Sequence, residues 1–209
     1  MARYVEPNCK LCRKESEKLF LKGIRCVSSK CSFERRGYAP GQHGKNRRFK
    51  ISEYGIQLRE KQKTKEIYGI YDNQFKNIFR NAERAKGITG ENLLKLLERR
   101  FDNVVYRLGF ASSRKSARQL IRHRHFLISG KIVDVPSFLL NKGNVIVVRE
   151  KSKKMELIHD AMKRIKDTGK YHWLSLDKAN MSGQFLEIPE RADIPVNIKE
   201  KLIVELFSK

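Results

Sequence analysis

The chain has 209 residues, the length of one large domain or two small ones, and its 46 Lys and Arg against 23 Asp and Glu give a formal net charge of +23. A hydrophobic content of 40% is enough to bury a core, so a disordered basic tail is excluded. No apolar run approaches the roughly 20 residues of a membrane span, and the first residues lack a signal-peptide core. We therefore expect neither an integral-membrane nor a secreted protein.

The positive charge is concentrated near the start of the chain. Residues 1–50 contain 14 Lys and Arg against 4 Asp and Glu, and a second basic cluster lies at residues 114–124. A pI near 10.1 predicts self-repulsion that a polyanionic partner relieves, and nucleic acid is the usual partner of such chains. The alternatives are a merely soluble basic surface and an anionic membrane surface. The membrane is less favoured because no basic helix has a strong exposed apolar face.

The four cysteines lie within the first 31 residues, as a C-x2-C pair followed after thirteen residues by a C-x4-C pair. Two close pairs joined by a short loop can bring four thiolates around one tetrahedral ion, which predicts a single structural Zn²⁺. Disulfides, unrelated buried thiols and an iron–sulfur cluster stay open as alternatives, although nothing indicates an oxidising compartment. The predicted ligands are Cys9, Cys12, Cys26 and Cys31.

The next segment, residues 35–50, mixes turn-forming residues with cations and aromatic rings. Glycine lets the backbone approach a phosphate closely, cations neutralise phosphates, and rings can stack on an exposed base. A solvated linker is the alternative. The candidate nucleic-acid contacts in this segment are Arg35, Arg36, Tyr38, His43, Lys45, Arg47, Arg48 and Lys50.

Helical patterns fill residues 51–109. Ser52 predicts the N-cap of a helix that runs to about residue 65 and carries Arg59, a further candidate contact. Helices follow over about 73–86 and 91–100, and Asp102 predicts the cap of a short helix after them. The apolar stripes of these helices are interpreted as core.

A basic helix is predicted over about 114–123, capped by Ser113. Four of its cations recur at i, i+1, i+4 and i+8 and share one face, while apolar residues share another. A solvated face usually intersperses acids and this one has none, which favours a polyanion over water as its partner. The candidate contacts on and after this helix are Ser113, Arg114, Lys115, Arg118, Gln119, Arg122, His123, Arg124 and Lys131.

Strands are expected in the second half of the chain. The pattern over 126–133 predicts strand, tight turn and strand, and further strands are predicted at 144–149, 173–176 and 183–188. Helices are predicted over 154–168, with Leu157 among its inward-facing residues, and from Asn197 to Phe207, where β-branched content leaves a strand as the alternative.

These residues carry a family resemblance. RFDNVVYRLGFA at 100–111, ARQLI at 117–121 and ISGKIV at 128–133 resemble the RNA-binding motif of the bacterial ribosomal protein S4 family. RGYAPGQHG at 36–44 resembles the N-terminal signature of that family, and residues 188–205 resemble its C-terminal one. The cysteine set resembles the zinc-bearing form of the family.

The resemblance implies an α+β fold: a helical first domain with a zinc-bound N-terminal segment, and an inserted mixed α/β RNA-binding domain of the S4 type. The corresponding segments are 1–50 for the zinc-binding basic part, 51–90 for the helical domain, completed by about 185–209, and 91–184 for the α/β domain.

The resemblance also implies a function in the cytoplasmic ribosome. It implies a structural constituent of the small subunit, a primary binder of 16S-type rRNA that holds several rRNA helices together and nucleates assembly. The implied neighbours are ribosomal proteins S3 and S5 and the mRNA near its entrance. A translational repressor and a zinc-dependent nucleic-acid-binding regulator are the alternatives.

An enzyme is not expected. The sequence has no phosphate-binding glycine loop and no convincing acid, base or nucleophile set. His123 and His125 flank cations and are interpreted as RNA contacts, and Asp102 as a helix cap.

The chain departs from the family at two turns. Arg124 stands where the family commonly has glycine, and a positive φ at that position would cost free energy. Ser129 stands where asparagine often precedes glycine, a milder change because serine also tolerates turns.

Overall fold

The computed structural model describes residues 4, 6–45, 51–165 and 171–208. Its helices are α1 (Asn8–Glu15), α2 (Ser32–Arg35), α3 (Glu53–Tyr68), α4 (Asp72–Arg84), α5 (Thr89–Glu98), α6 (Phe101–Arg107), α7 (Arg114–Arg122), α8 (Glu156–Met162) and α9 (Glu200–Phe207), with 3₁₀ turns at Gly23–Cys26 and Glu150–Ser152. Its strands are β1 (Phe126–Ile128), β2 (Lys131–Ile132), β3 (Val145–Val148), β4 (Leu174–Asp177) and β5 (Ser182–Phe185). The chain forms two compact units, residues 1–93 with 196–209, and residues 94–195.

The first unit is helical, and the last helix of the chain completes it. The rings of Phe79 on α4 and Phe207 on α9 stack with centroids 4.2 Å apart, and Phe75 is fully buried beside them. Helix α3 also packs on α9, where the Gln57 amide donates to the Glu205 carboxylate at 3.0 Å. Helix α3 ends where Gly69 adopts a φ of 65°, which suits a residue without a side chain.

The second unit packs helices on an antiparallel sheet of order β2-β1-β3-β5-β4. The apolar stripe of α7, including Ala117 and Ile121, is buried in the core together with Phe126 of β1 and Trp173. Close approach is required at Gly183 of β5, where a Cβ would lie 2.6 Å from the Leu108 side chain. Because the apolar face of α7 is buried in this core, the opposite, polar face of the helix is held in a fixed orientation on the second unit.

The structure confirms the basic helix and the predicted strand–turn–strand, and it corrects three details. Asp102 does not cap α6, because Arg100 occupies the N-cap and Asp102 is the second helical residue. Helix α8 covers only part of the predicted 154–168 span, and Leu157 is 66% exposed because the inward stripe runs through Ile158 and its i+3 and i+4 neighbours. Helix α9 starts three residues later than predicted, at Glu200.

Within the described ranges, no helix combines the length and apolar character needed to cross a bilayer.

Candidate nucleic-acid interface

Helix α7 presents a basic face built by its own cap and apolar stripe. The Ser113 side chain accepts a hydrogen bond from the Ser116 backbone N–H at 3.2 Å, so this predicted contact residue is the N-cap of the helix. Gln119 and Arg122 are exposed and Lys115 is half-buried. We call Arg114, Lys115, Arg118, Gln119 and Arg122 together the α7 surface.

Two cations of the α7 surface are held in place by side chains of helix α6. Nη1 of Arg118 lies 3.2 Å from the Asp102 carboxylate, and the Arg118 side chain is only 12% exposed. Nε of Arg114 donates to the Asn103 side-chain oxygen at 2.8 Å, and its guanidinium lies over the Tyr106 ring at 4.6 Å. Helix α7 contains no acidic residue, and α6 supplies the carboxylate that pairs with Arg118. The side chains of Arg114 and Arg118 are therefore oriented before any ligand binds.

A buried charged network supports these contacts. Asp102, itself 3% exposed, also accepts from Nη2 of the equally buried Arg100 at 3.0 Å. The carboxylate of Glu98 is fully buried and accepts from Nη2 of Arg107 at 2.8 Å and from the Asn103 amide at 2.6 Å. Each buried carboxylate is thus matched by a guanidinium and by further hydrogen bonds, the arrangement that a buried ion requires.

The backbone turns sharply after α7. Arg124 has a φ of 61°, in the left-handed region, and its Nε lies 3.0 Å from the Asp134 carboxylate. His123 is exposed, whereas Nδ1 of His125 lies 2.9 Å from the hydroxyl of buried Ser152. Burial lowers the pKa of His125, helped by charges on His123 and Arg149, so its ring is neutral at neutral pH. His125 therefore supports the turn.

The hairpin β1–β2 carries the remaining candidate of this unit. Ser129 and Gly130 have φ values of 46° and 83°, the pattern of a two-residue hairpin turn with both central residues left-handed. Lys131 follows at the start of β2 and is exposed. It is available to a polyanion.

The N-terminal candidates lie on a loop that we define as residues 36–45, together with Arg35 at the end of α2. Arg35, Arg36, His43 and Lys45 are exposed. The Tyr38 ring is half-buried and faces two cations, with the guanidinium carbon of Arg13 5.0 Å and Nζ of Lys45 5.4 Å from its centroid. The predicted contacts Arg47, Arg48 and Lys50 lie outside the described residues.

Arg59 ties two helices of the first unit together. Its Nη1 donates to the backbone carbonyl of Lys14 at 2.8 Å and to the Glu15 carboxylate at 3.2 Å. The nucleic-acid contact at Arg59 stays a prediction, and the structure shows that this side chain links α3 to α1.

Three of the four predicted zinc ligands are buried. Cys12, Cys26 and Cys31 are each 7% exposed and all four are free thiols. Burial raises the pKa of the Cys12 thiol, and charges on the other three thiols act in the same direction. Among the described residues, however, no three His, Cys, Asp or Glu side chains are grouped closely enough to hold a metal ion.

Two contacts of the interface were not predicted from the sequence. Arg13 lies on α1, and its side chain reaches the 36–45 loop, a contact that the sequence did not predict. The partnership of Asp102 with Arg118 joins residues 16 apart, and a single helical period does not reveal a contact between two helices.

Comparison with known proteins now defines the class. Residues 3–98 match the ribosomal protein S4/S9 N-terminal domain family, and residues 99–146 match the S4 domain family. The small ribosomal subunit proteins uS4 of Desulfosudis oleivorans and Pelobacter propionicus are each 56% identical to this chain, and that of Thermodesulfovibrio yellowstonii is 53% identical, over 209 residues and 100% of both chains.

These matches define the chain as a ribosomal S4-type protein. More particularly, the chain belongs to the small ribosomal subunit protein uS4 family. This is a family of ribosomal structural proteins and not of enzymes.

Proposed function

We propose that this chain binds small-subunit rRNA through the α7 surface and the 36–45 loop, as a structural constituent of the small subunit in the cytoplasmic ribosome. The observation that carries the proposal is the anchoring of Arg114 and Arg118 on Asn103 and Asp102. Cations that are already oriented lose less conformational entropy on binding, so more of the phosphate-contact energy appears as affinity.

The chemistry favours recognition of RNA shape. The deep groove of an RNA duplex is closed to side chains, so a protein reads mainly phosphates and 2′-hydroxyls. Arginine suits this task because its planar fork can donate two hydrogen bonds to one phosphate. Two basic surfaces on one chain can engage different RNA helices and hold them together.

The first test is equilibrium binding to naked small-subunit rRNA, to unrelated RNA of equal length and to duplex DNA across a salt series. We expect tight binding to the first alone, with affinity falling steeply with salt, as neutralisation of about eight phosphates requires. Equal binding to all three, or a slope near one or two ions, would contradict the proposal.

A matched pair of variants separates the α7 surface from net charge. Arg122→Gln removes an exposed cation of the surface, and Lys142→Gln removes an exposed cation elsewhere in the same unit. We expect Arg122→Gln to lower the salt slope by about one and to weaken rRNA binding severalfold, with little effect from Lys142→Gln. Equal losses would mean that only total charge matters.

We further propose that Cys9, Cys12, Cys26 and Cys31 hold one structural Zn²⁺. The support is the donor set, four soft thiols within the first 31 residues, three of them buried. Zinc would supply a closed tetrahedral crosslink there and no catalysis. Because the thiols must lose their protons to bind metal, and burial raises the pKa of Cys12 and Cys26, zinc affinity should fall as the pH is lowered.

Zinc binding is tested by metal analysis and by proteolysis. We expect about one zinc ion per chain, and faster cleavage within the first 35 residues after chelation, because the metal contributes to folding there. A chain that binds no zinc, or a cleavage pattern that chelation leaves unchanged, would overturn this proposal.

The same resemblance supports a location beside ribosomal proteins S3 and S5, near the mRNA entrance, and an early role in assembly. Order-of-addition reconstitution tests the early role: omission of this protein should prevent later proteins from joining. Crosslinking in assembled subunits tests the neighbours, and recovery of neither S3 nor S5 would contradict the location.

A further inference from the structure

We propose that Arg13 is a positioning residue that holds the 36–45 loop in its RNA-binding conformation. Arg13 lies on α1, between the first cysteine pair and the end of the helix. The inference rests on the proposed function, because the conformation of the loop matters only if the loop binds RNA.

The Arg13 guanidinium donates to two successive carbonyl groups of the loop. Its Nε lies 2.9 Å from the Tyr38 carbonyl oxygen and its Nη2 lies 3.3 Å from that of Ala39. The same guanidinium lies over the Tyr38 ring, 5.0 Å from the centroid. One side chain thus fixes two peptide groups and one aromatic ring, a set of contacts that only a planar fork with several donors makes at once.

The far side of the same carbonyl is closed by the loop itself. Gly44 approaches so closely that a Cβ there would lie 1.9 Å from the Ala39 oxygen, and the Gly44 N–H donates to the Gly41 carbonyl at 3.2 Å. Lys45 then returns over the Tyr38 ring at 5.4 Å. The loop therefore folds back on the peptide that Arg13 holds, and the exposed His43 and Lys45 take their positions from this closure.

Substitutions at position 13 can distinguish a positioning role of Arg13 from a role of its positive charge alone. A lysine at position 13 keeps the positive charge but cannot donate from two nitrogens in a fixed plane. Glutamine removes the charge as well. Lys14, the next residue on α1, is exposed and outside the proposed binding surfaces, so Lys14→Gln provides a matched loss of one charge.

The experiment compares rRNA binding by the parent protein, Arg13→Lys, Arg13→Gln and Lys14→Gln over a salt series. We expect Arg13→Lys and Arg13→Gln to weaken binding alike, about tenfold, with the salt slope falling by more than one because several loop contacts go together. Lys14→Gln should cost at most a few-fold and about one ion. Hydrogen exchange in the free protein should show faster exchange at the Gly44 amide in Arg13→Lys.

Three results would overturn the inference: Arg13→Lys that binds like the parent, Arg13→Gln that matches Lys14→Gln, or unchanged Gly44 exchange in Arg13→Lys. Unchanged thermal melting of the first unit, which contains both substituted positions, controls for general misfolding. Failure of the proposed function is distinct, because the parent protein itself would then bind rRNA no better than unrelated RNA.

Discussion

Arg124 holds a backbone conformation that suits glycine better than arginine. Its φ of 61° lies in the left-handed region, where a Cβ crowds the following carbonyl oxygen at a cost of about 1–2 kcal/mol. The side chain contributes little in return to stability, because its ion pair with Asp134 is 64% and 43% exposed. A cation at this turn therefore costs stability, and we expect it to serve the proposed RNA contact.

Replacement of Arg124 tests this balance. Arg124→Gly and Arg124→Gln both remove the ion pair, but only glycine relieves the backbone. We expect Arg124→Gly to be more stable than Arg124→Gln by about 1 kcal/mol in denaturant unfolding, and both to bind rRNA more weakly than the parent. Equal stability of the two variants would show that the turn carries no strain.

The sequence was sufficient for this residue because the information is local. The family commonly has glycine there, so the resemblance predicted a cost if φ were positive, and the structure shows the positive φ. The same holds for Ser113, whose position before a basic amphipathic run predicted the observed N-cap.

Helices α6 and α7 act as one element of the interface. Asp102 on α6 accepts from Arg100 within its own segment and from Arg118 across the helix pair. The side chains of Arg100 and Asp102 are almost fully buried, and that of Arg118 is 12% exposed. Loss of the carboxylate would therefore remove the charge that compensates the buried Arg100 guanidinium.

The substitution Asp102→Asn measures how much this pair of helices depends on the buried charge. We expect it to lower the free energy of unfolding by about 3 kcal/mol, because an uncompensated buried guanidinium remains. The control Asp134→Asn removes a carboxylate from an exposed pair and should cost less than about 1 kcal/mol. A similar small loss in both variants would mean that water reaches the Asp102 site.

The sequence patterns predicted helices α6 and α7 but not the contacts between them. The 3.6-residue period placed Arg118 on the wet face of α7, where it was expected to meet a phosphate directly. The structure shows in addition that Arg118 is paired with the buried Asp102, whereas Arg122 on the same face is exposed. Which acid meets which cation depends on the crossing of two helices, and neither period contains that information.

At the scale of the whole molecule, the dependence of stability on pH has an identifiable source in the first unit. Burial, together with the neighbouring charge of Glu15, raises the pKa of Glu66 to about 7. One oxygen of the Glu66 carboxylate is buried without a hydrogen-bond partner. The folded chain therefore favours the protonated carboxyl and binds more protons than the unfolded chain.

It follows that the free energy of unfolding decreases as pH rises from about 4.5, the ordinary value for glutamate, to about 7, and then levels off. Because the group is partly exposed, solvent screening limits the effect to about 1 kcal/mol. Glu66→Gln should flatten the profile in this window, whereas Glu53→Gln, at an exposed glutamate of the same helix, should leave it unchanged. A parent profile without this decrease would refute the assignment.

The packing of α9 on α3 sets an order for folding during synthesis. The hydrogen bond between Gln57 and Glu205 joins residues 148 positions apart, and Phe207 stacks on Phe79 in the core of the first unit. The second unit, residues 94–195, is continuous in sequence and can fold as soon as it leaves the ribosome. The first unit begins to be made earlier but closes only when residues 200–207 emerge, so the part of the chain synthesised first is the last to reach its final packing.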